Sequence, residues 1–144
     1  MQLPEERITA LTAAFGAGDP PGVVVEHDDP ECGDCSFLTR HLLGRKWTEV
    51  EDEPLSQMSS DLPLLTEAAR RYYLPAFIRF AYRHSDWNLE YILMNIEPEQ
   101  LGPLPEPSRR ALIDFLRWIS SEPEQRLERE EAEKLVALWE ATGS

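Results

Sequence analysis

The sequence predicts a mainly α, compact single-domain bundle of about six or seven helices, with at most a short two-stranded pairing near residues 23–25 and 47–50. Three observations lead there. Apolar residues recur at helical spacing in most segments. Glycines and prolines separate those segments by short connections. Only Val23–Val25 is rich in strand-favouring residues, and it is very short. A chain of 144 residues suits one domain, and at that size a hydrophobic core needs no disulfide or metal staple.

The first helix is expected over Pro4 to Phe15, with Ile8, Leu11 and Phe15 on one face and Gly16 as its stop. Glu5 and Glu6 suit its positive end. A Gly/Pro loop leads to Val23–Val25, and the acidic stretch Glu26 to Asp34 reads as loop. Asp34 can cap a helix from Cys35 to Leu43 that buries Cys35, Leu38 and Leu42 and ends before Gly44. Trp47 to Val50 is the second candidate extended piece, and Glu51 to Pro63 reads as a connection with at most one helical turn. Thr66 is a strong helix cap. Behind it Pro75 implies either a kink or a new helix, with Ile78, Ala81 and Tyr82 inward beside Phe77 or Leu74, and Arg79 and Arg83 outward. Tyr72 and Tyr73 lie about 100° apart on a helix, so one is expected in the core and the other at a surface or groove.

Asp86 reads as the cap of a helix with the stripe Leu89, Ile92, Leu93 and Ile96. Glu97 to Pro107, with four prolines, reads as loop. A helix near Ser108 to Ser120 presents Leu112, Phe115, Leu116 and Ile119, with Trp118 beside them. Pro123 opens the last helix, whose narrow stripe is Leu127, Leu135, Leu138 and Trp139.

Net charge is −13, from 27 acids and 14 bases. That field disfavours nucleic acid and anionic lipid, and it suits either plain solubility or a surface for a basic protein partner, between which charge alone does not choose. The opening residues have neither the basic segment nor the apolar run of a signal peptide. No stretch approaches the roughly 20 apolar residues of a membrane span. Cytoplasmic residence is the expectation.

One constellation has metal-site composition: His27, Cys32, Cys35 and His41. Cys-x-x-Cys with flanking histidines supplies tetrahedral zinc ligands. The spacing is poor, because a Cys-x-x-Cys knuckle normally faces a second ligand pair well downstream. On a helix His41 also turns about 120° away from Cys35. The plain reading is two reduced thiols, Cys35 packed under Leu38 and Leu42. A dithiol redox site at this helix start lacks the βαβ context it needs, and the acidic loop lacks EF-hand order. No phosphate-binding glycine loop or nucleophile elbow is present. An enzyme reading rests only on scattered Glu67, Tyr72, Arg79 and His84. Tyr72, Tyr73, Trp87 and Tyr91 are the candidates for a groove or interface.

Leu65-Thr66-Glu67-Ala68 followed by Tyr72-Tyr73-Leu74-Pro75-Ala76-Phe77 resembles a family of small uncharacterised bacterial proteins of unknown function. Cys32 and Cys35 ahead of Gly44 to Trp47 resemble a second element of that family, and Leu104 to Leu116 a third. This chain departs from the third at Pro105, Glu106, Pro107, Ser108 and Arg109. The resemblance implies a bacterial helical fold, a shared role for the Cys32 and Cys35 region, and no catalytic residues. The sequence therefore points first to a non-enzymatic interaction module, immunity- or antitoxin-like in binding a cationic partner. A small zinc-binding domain is the alternative.

Overall fold

The computed structural model describes residues 4–16, 18–26, 33–84, 89–121 and 126–142. Within them are eight α-helices: α1 (Pro4–Phe15), α2 (Gly33–Leu42), α3 (Asp52–Met58), α4 (Glu67–Arg83), α5 (Glu90–Leu93), α6 (Pro98–Leu101), α7 (Glu106–Ser121) and α8 (Arg126–Ala141). Two 3₁₀ segments, Trp47–Glu49 and Ser59–Leu64, bracket α3. The fold is an all-α bundle, with more helices than periodicity alone marks out.

Helix α4 is the axis. Thr66 starts it as predicted, its Oγ1 accepting the Ala69 N–H at 3.1 Å. Every residue from Tyr73 to Tyr82 is buried, because α1, α3, α6 and the Trp47–Glu49 turn all pack on it. That all-round burial explains why Pro75 neither ends nor divides the helix. An internal proline costs roughly 3 kcal/mol, which burial of Leu74, Pro75, Phe77 and Ile78 offsets.

The amphipathic helices behave as their stripes predict. Leu11 is buried, with Ile8 and Phe15 packed beside it. Gly16 ends α1 at φ 72°, a conformation that favours glycine. In α2 the buried set is Cys35, Leu38 and Leu42. Leu112, Phe115, Leu116 and Ile119 form the inner face of α7, which lies along α8. Tyr82 of α4 meets Phe115 and Trp118 edge-on, at ring separations of 5.5 and 4.9 Å.

Several expectations are corrected. The valine segment does pair, but with the residues before α4: Val25 bridges Leu65 in antiparallel sense. The Glu26 N–H donates to the Leu64 carbonyl and the Thr66 N–H to the Val24 carbonyl, both at 3.0 Å. Residues 47–50 instead enter a 3₁₀ turn, closed by the Glu49 carboxylate on the Lys46 N–H. Asp34 lies inside the first turn of α2 rather than ahead of it. The stretch 51–63 holds nearly two turns of α3, because Leu55 and Met58 supply a buried face. Within 97–107 Glu97 and Gln100 form a capping box, so α6 folds around its proline rather than against it. Leu138 is exposed while Ala132 takes a place in the core. Asp86, Pro123 and the Leu127 side chain fall outside the described residues.

Candidate functional site

Tyr72, Tyr73 and Arg79 of α4 reach across to one region, the described residues between 16 and 50. Tyr73 is fully buried, and its hydroxyl donates to the carbonyls of Leu42 and Arg45, the latter at 2.8 Å. It thereby ties the last residue of α2, whose carbonyl also accepts the Arg45 N–H, to the turn that follows the helix. Burial, and then neighbouring Tyr72, push its pKa up to about 12. Tyr72 stands at the surface end of the pair, as the spacing predicts. Its hydroxyl donates to the Gly18 carbonyl at 2.8 Å and accepts the Trp47 N–H at 3.4 Å. Burial raises the Tyr72 pKa, and the carboxylates of Asp19 and Glu49 add to the rise against that Trp47 hydrogen bond. The two rings meet edge to face, 4.8 Å apart.

Arg79 was expected outward and is 6% exposed. Its guanidinium donates to the carbonyls of Trp47 (3.4 Å), Thr48 (3.3 Å) and Val50, and lies 5.8 Å from the centroid of the Trp47 ring. Converging carbonyls and an aromatic face replace the water a buried cation loses. Burial lowers its pKa, Arg83 does so further, and Asp52 opposes them. Periodicity missed this residue. The one signal was that outward placement would have left α4 a narrow stripe in the middle of a bundle. The Trp47 indole completes the set by donating to the Gly16 carbonyl at 2.7 Å.

The residues of the enzyme reading do not meet. Glu67 pairs with Arg71 at 2.7 Å, and Arg71 also donates to the Leu101 carbonyl. Gly102, at φ 75°, lets the chain pass close over that pair, where a side chain would strike both residues. His84 ends α4, with Nε2 3.1 Å from Asp52 Oδ2 and its ring against Phe80. Tyr72 and Arg79 act on separate carbonyls, as described above.

For zinc, Cys35 is buried beneath the α2 stripe and the His41 ring sits on Phe37, 4.4 Å away. His27 and Cys32 lie outside the described residues. Among those described, no group of three or more His, Cys, Asp or Glu side chains is placed to hold a metal ion. Tyr91 is exposed, and Trp87 is outside the described residues.

Charge is distributed unevenly. Residues 17–66 contain 11 of the acids and three of the bases, whereas residues 67–121 contain seven of each. Asp19, Glu26, Asp34, Glu49, Glu51 and Glu53 are all exposed. No ion pair among the described residues engages any of them. The carboxylates of Glu106 and Glu140 are instead bound by arginines of α7. Arg109 and Arg110 hold Glu106 well below the usual carboxylate range, at about 2.

Beside Tyr72 opens a slot of about 240 Å³, lined by Phe15, Trp47, Ala68, Arg71, Tyr72, Leu104, Pro105 and Ser108. No helix of the described residues is long and apolar enough to cross a membrane. Comparison with protein-family models, curated proteins and solved structures gives no match.

Proposed function

We propose that this protein is a non-enzymatic interaction module of the cytoplasm whose acidic segment, residues 17–66, receives a cationic protein partner. The observation carrying this reading is that exposed Asp19, Glu26, Asp34, Glu49, Glu51 and Glu53 have no ion pair among the described residues, set against a charge-balanced α4–α7. Carboxylates already bridged to arginine offer an incoming cation little, while unbridged ones steer and hold it. The polar side chains of α4 support the reading by fixing the backbone from which those carboxylates project. An immunity- or antitoxin-like role, neutralising a basic protein, fits this surface.

The test separates the location of charge from its amount. Binding of a fluorescent nona-arginine peptide is measured across a salt series for two charge-matched triple variants. One is Glu49→Gln/Glu51→Gln/Glu53→Gln, and the other, on α8, is Glu130→Gln/Glu131→Gln/Glu133→Gln. The first is expected to lose about tenfold in affinity and the second about twofold, with salt weakening every complex. Equal losses would mean that only net charge matters, and the reading would fall.

A further inference from the structure

The slot beside Tyr72 has three aromatic side chains in its walls. Trp47, Tyr72 and Phe15 line it, and Ala68 on α4 keeps it open because a small side chain stands there. Leu104 and Pro105 complete an apolar side. Tyr72 is fixed by bonds to Gly18 and Trp47, and Trp47 by its bond to Gly16, so the walls are held in place before any ligand arrives. The carboxylates that bear on the Tyr72 phenol are Asp19 and Glu49, both exposed and without an ion-pair partner among the described residues. The single cation of the lining, Arg71, is matched by Glu67 at 2.7 Å and tied to the Leu101 carbonyl. Arg45 and Lys46 precede Trp47 but do not line the slot.

Aromatic side chains in the lining, with exposed Asp19 following the Gly18 that Tyr72 binds and exposed Glu49 two residues after Trp47, suit a group with an apolar stem and a positive head. A lysine or arginine side chain has that form: its methylenes pack on rings while the charge meets a π face or a carboxylate. We infer that the Phe15–Trp47–Ala68–Tyr72 slot is the anchoring pocket for one basic side chain of the cationic partner, with Asp19 and Glu49 as its counter-charges. The inference rests on the interaction reading above and gives it an address. The acidic segment collects a basic chain broadly, and the slot selects one residue of it.

Ala68→Gln is the direct test. It fills the slot without changing charge, and it sits at an exposed helical position where glutamine is a good helix former. Unchanged melting temperature confirms that the fold is intact. Nona-arginine affinity is expected to fall about fivefold, the scale of one cation–π anchor. Asp19→Asn is expected to lower it further, whereas Tyr72→Phe keeps the ring and most of the affinity. If Ala68→Gln binds like wild type while the Glu49/Glu51/Glu53 triple variant is weakened, the slot is overturned and the interaction reading stands. If the unaltered protein fails to bind the peptide even at low salt, both are overturned.

Discussion

Two regions of this molecule share one core but are held together by different physics. The α7–α8 pair is assembled by stripes: Leu112, Phe115, Leu116 and Ile119 on one helix face Ala132, Leu135 and Trp139 on the other, all buried. The described residues between 16 and 50 include α2 and stretches of irregular backbone, and α4 holds them by donating to their carbonyls. Tyr72, Tyr73 and Arg79 together satisfy acceptors on Gly18, Leu42, Arg45, Trp47, Thr48 and Val50. Irregular backbone brought against a core must have its polar groups paired, and helical neighbours cannot do it. The comparison explains why the tyrosine-proline box is so polar for the centre of a bundle. Its hydroxyls, and the guanidinium one turn beyond, serve as backbone partners.

The largest expected effect lies in the stripe-packed region. Trp139→Ala removes a fully buried ring and its donor to the Ile96 carbonyl, and about 3–5 kcal/mol of stability is expected to go with it. Chemical denaturation reads this directly. Arg79→Met keeps most of the buried volume but takes the guanidinium from the carbonyls of Thr48 and Val50 and leaves that of Trp47 with the Val50 N–H alone, an expected loss of about 2–3 kcal/mol. A loss as small as that of a surface substitution would mean that water or rearranged backbone replaces the guanidinium, and the contrast between the regions would weaken.

Tyr73→Phe sharpens the comparison further. Removing one hydroxyl that serves two carbonyls is expected to cost about 1–2 kcal/mol. It also has a pH signature. The folded state raises the Tyr73 pKa to about 12, above the ordinary tyrosine value of about 10. Its contribution is therefore complete below about pH 10 and lost as pH climbs through about 12. Tyr82, likewise raised to about 12 by burial, falls in the same window. Denaturation midpoints followed through that window are expected to decline in the wild type. They decline less steeply in Tyr73→Phe, with the Tyr82 share remaining. An identical slope in the variant would show that Tyr73 ionises as freely folded as unfolded.

What could be read from the chain follows the same division. Helices whose stability comes from an apolar stripe were legible: α1, α2 and α7 appear close to their predicted spans because spacing reports the buried face. The Thr66 cap was legible because its chemistry is local. The 3₁₀ turn at Trp47–Glu49 and the Val25–Leu65 bridge were not, since both depend on partners distant in sequence. Arg79 was misread for the same reason. A cation on a helix signals solvent unless the carbonyls that will receive it are already known. Of the candidate site, the tyrosine pair was correctly divided between core and surface, while the slot and its Ala68 wall needed the packed structure. The uneven charge was countable in the sequence, but that Asp19, Glu26, Asp34, Glu49, Glu51 and Glu53 stand without an ion pair among the described residues was not.

The most direct test of the account is native-state hydrogen exchange on Arg79→Met compared with wild type. The amides of Glu49 and Val50, which donate to the carbonyls of Lys46 and Trp47, report the pinned region, and those of Leu112 to Ile119 report the stripe-packed one. Protection is expected to fall by about tenfold or more at the first set while the second changes little. An equal loss at both would show a single cooperative core in which Arg79 is merely one more contact, and would contradict the division drawn here.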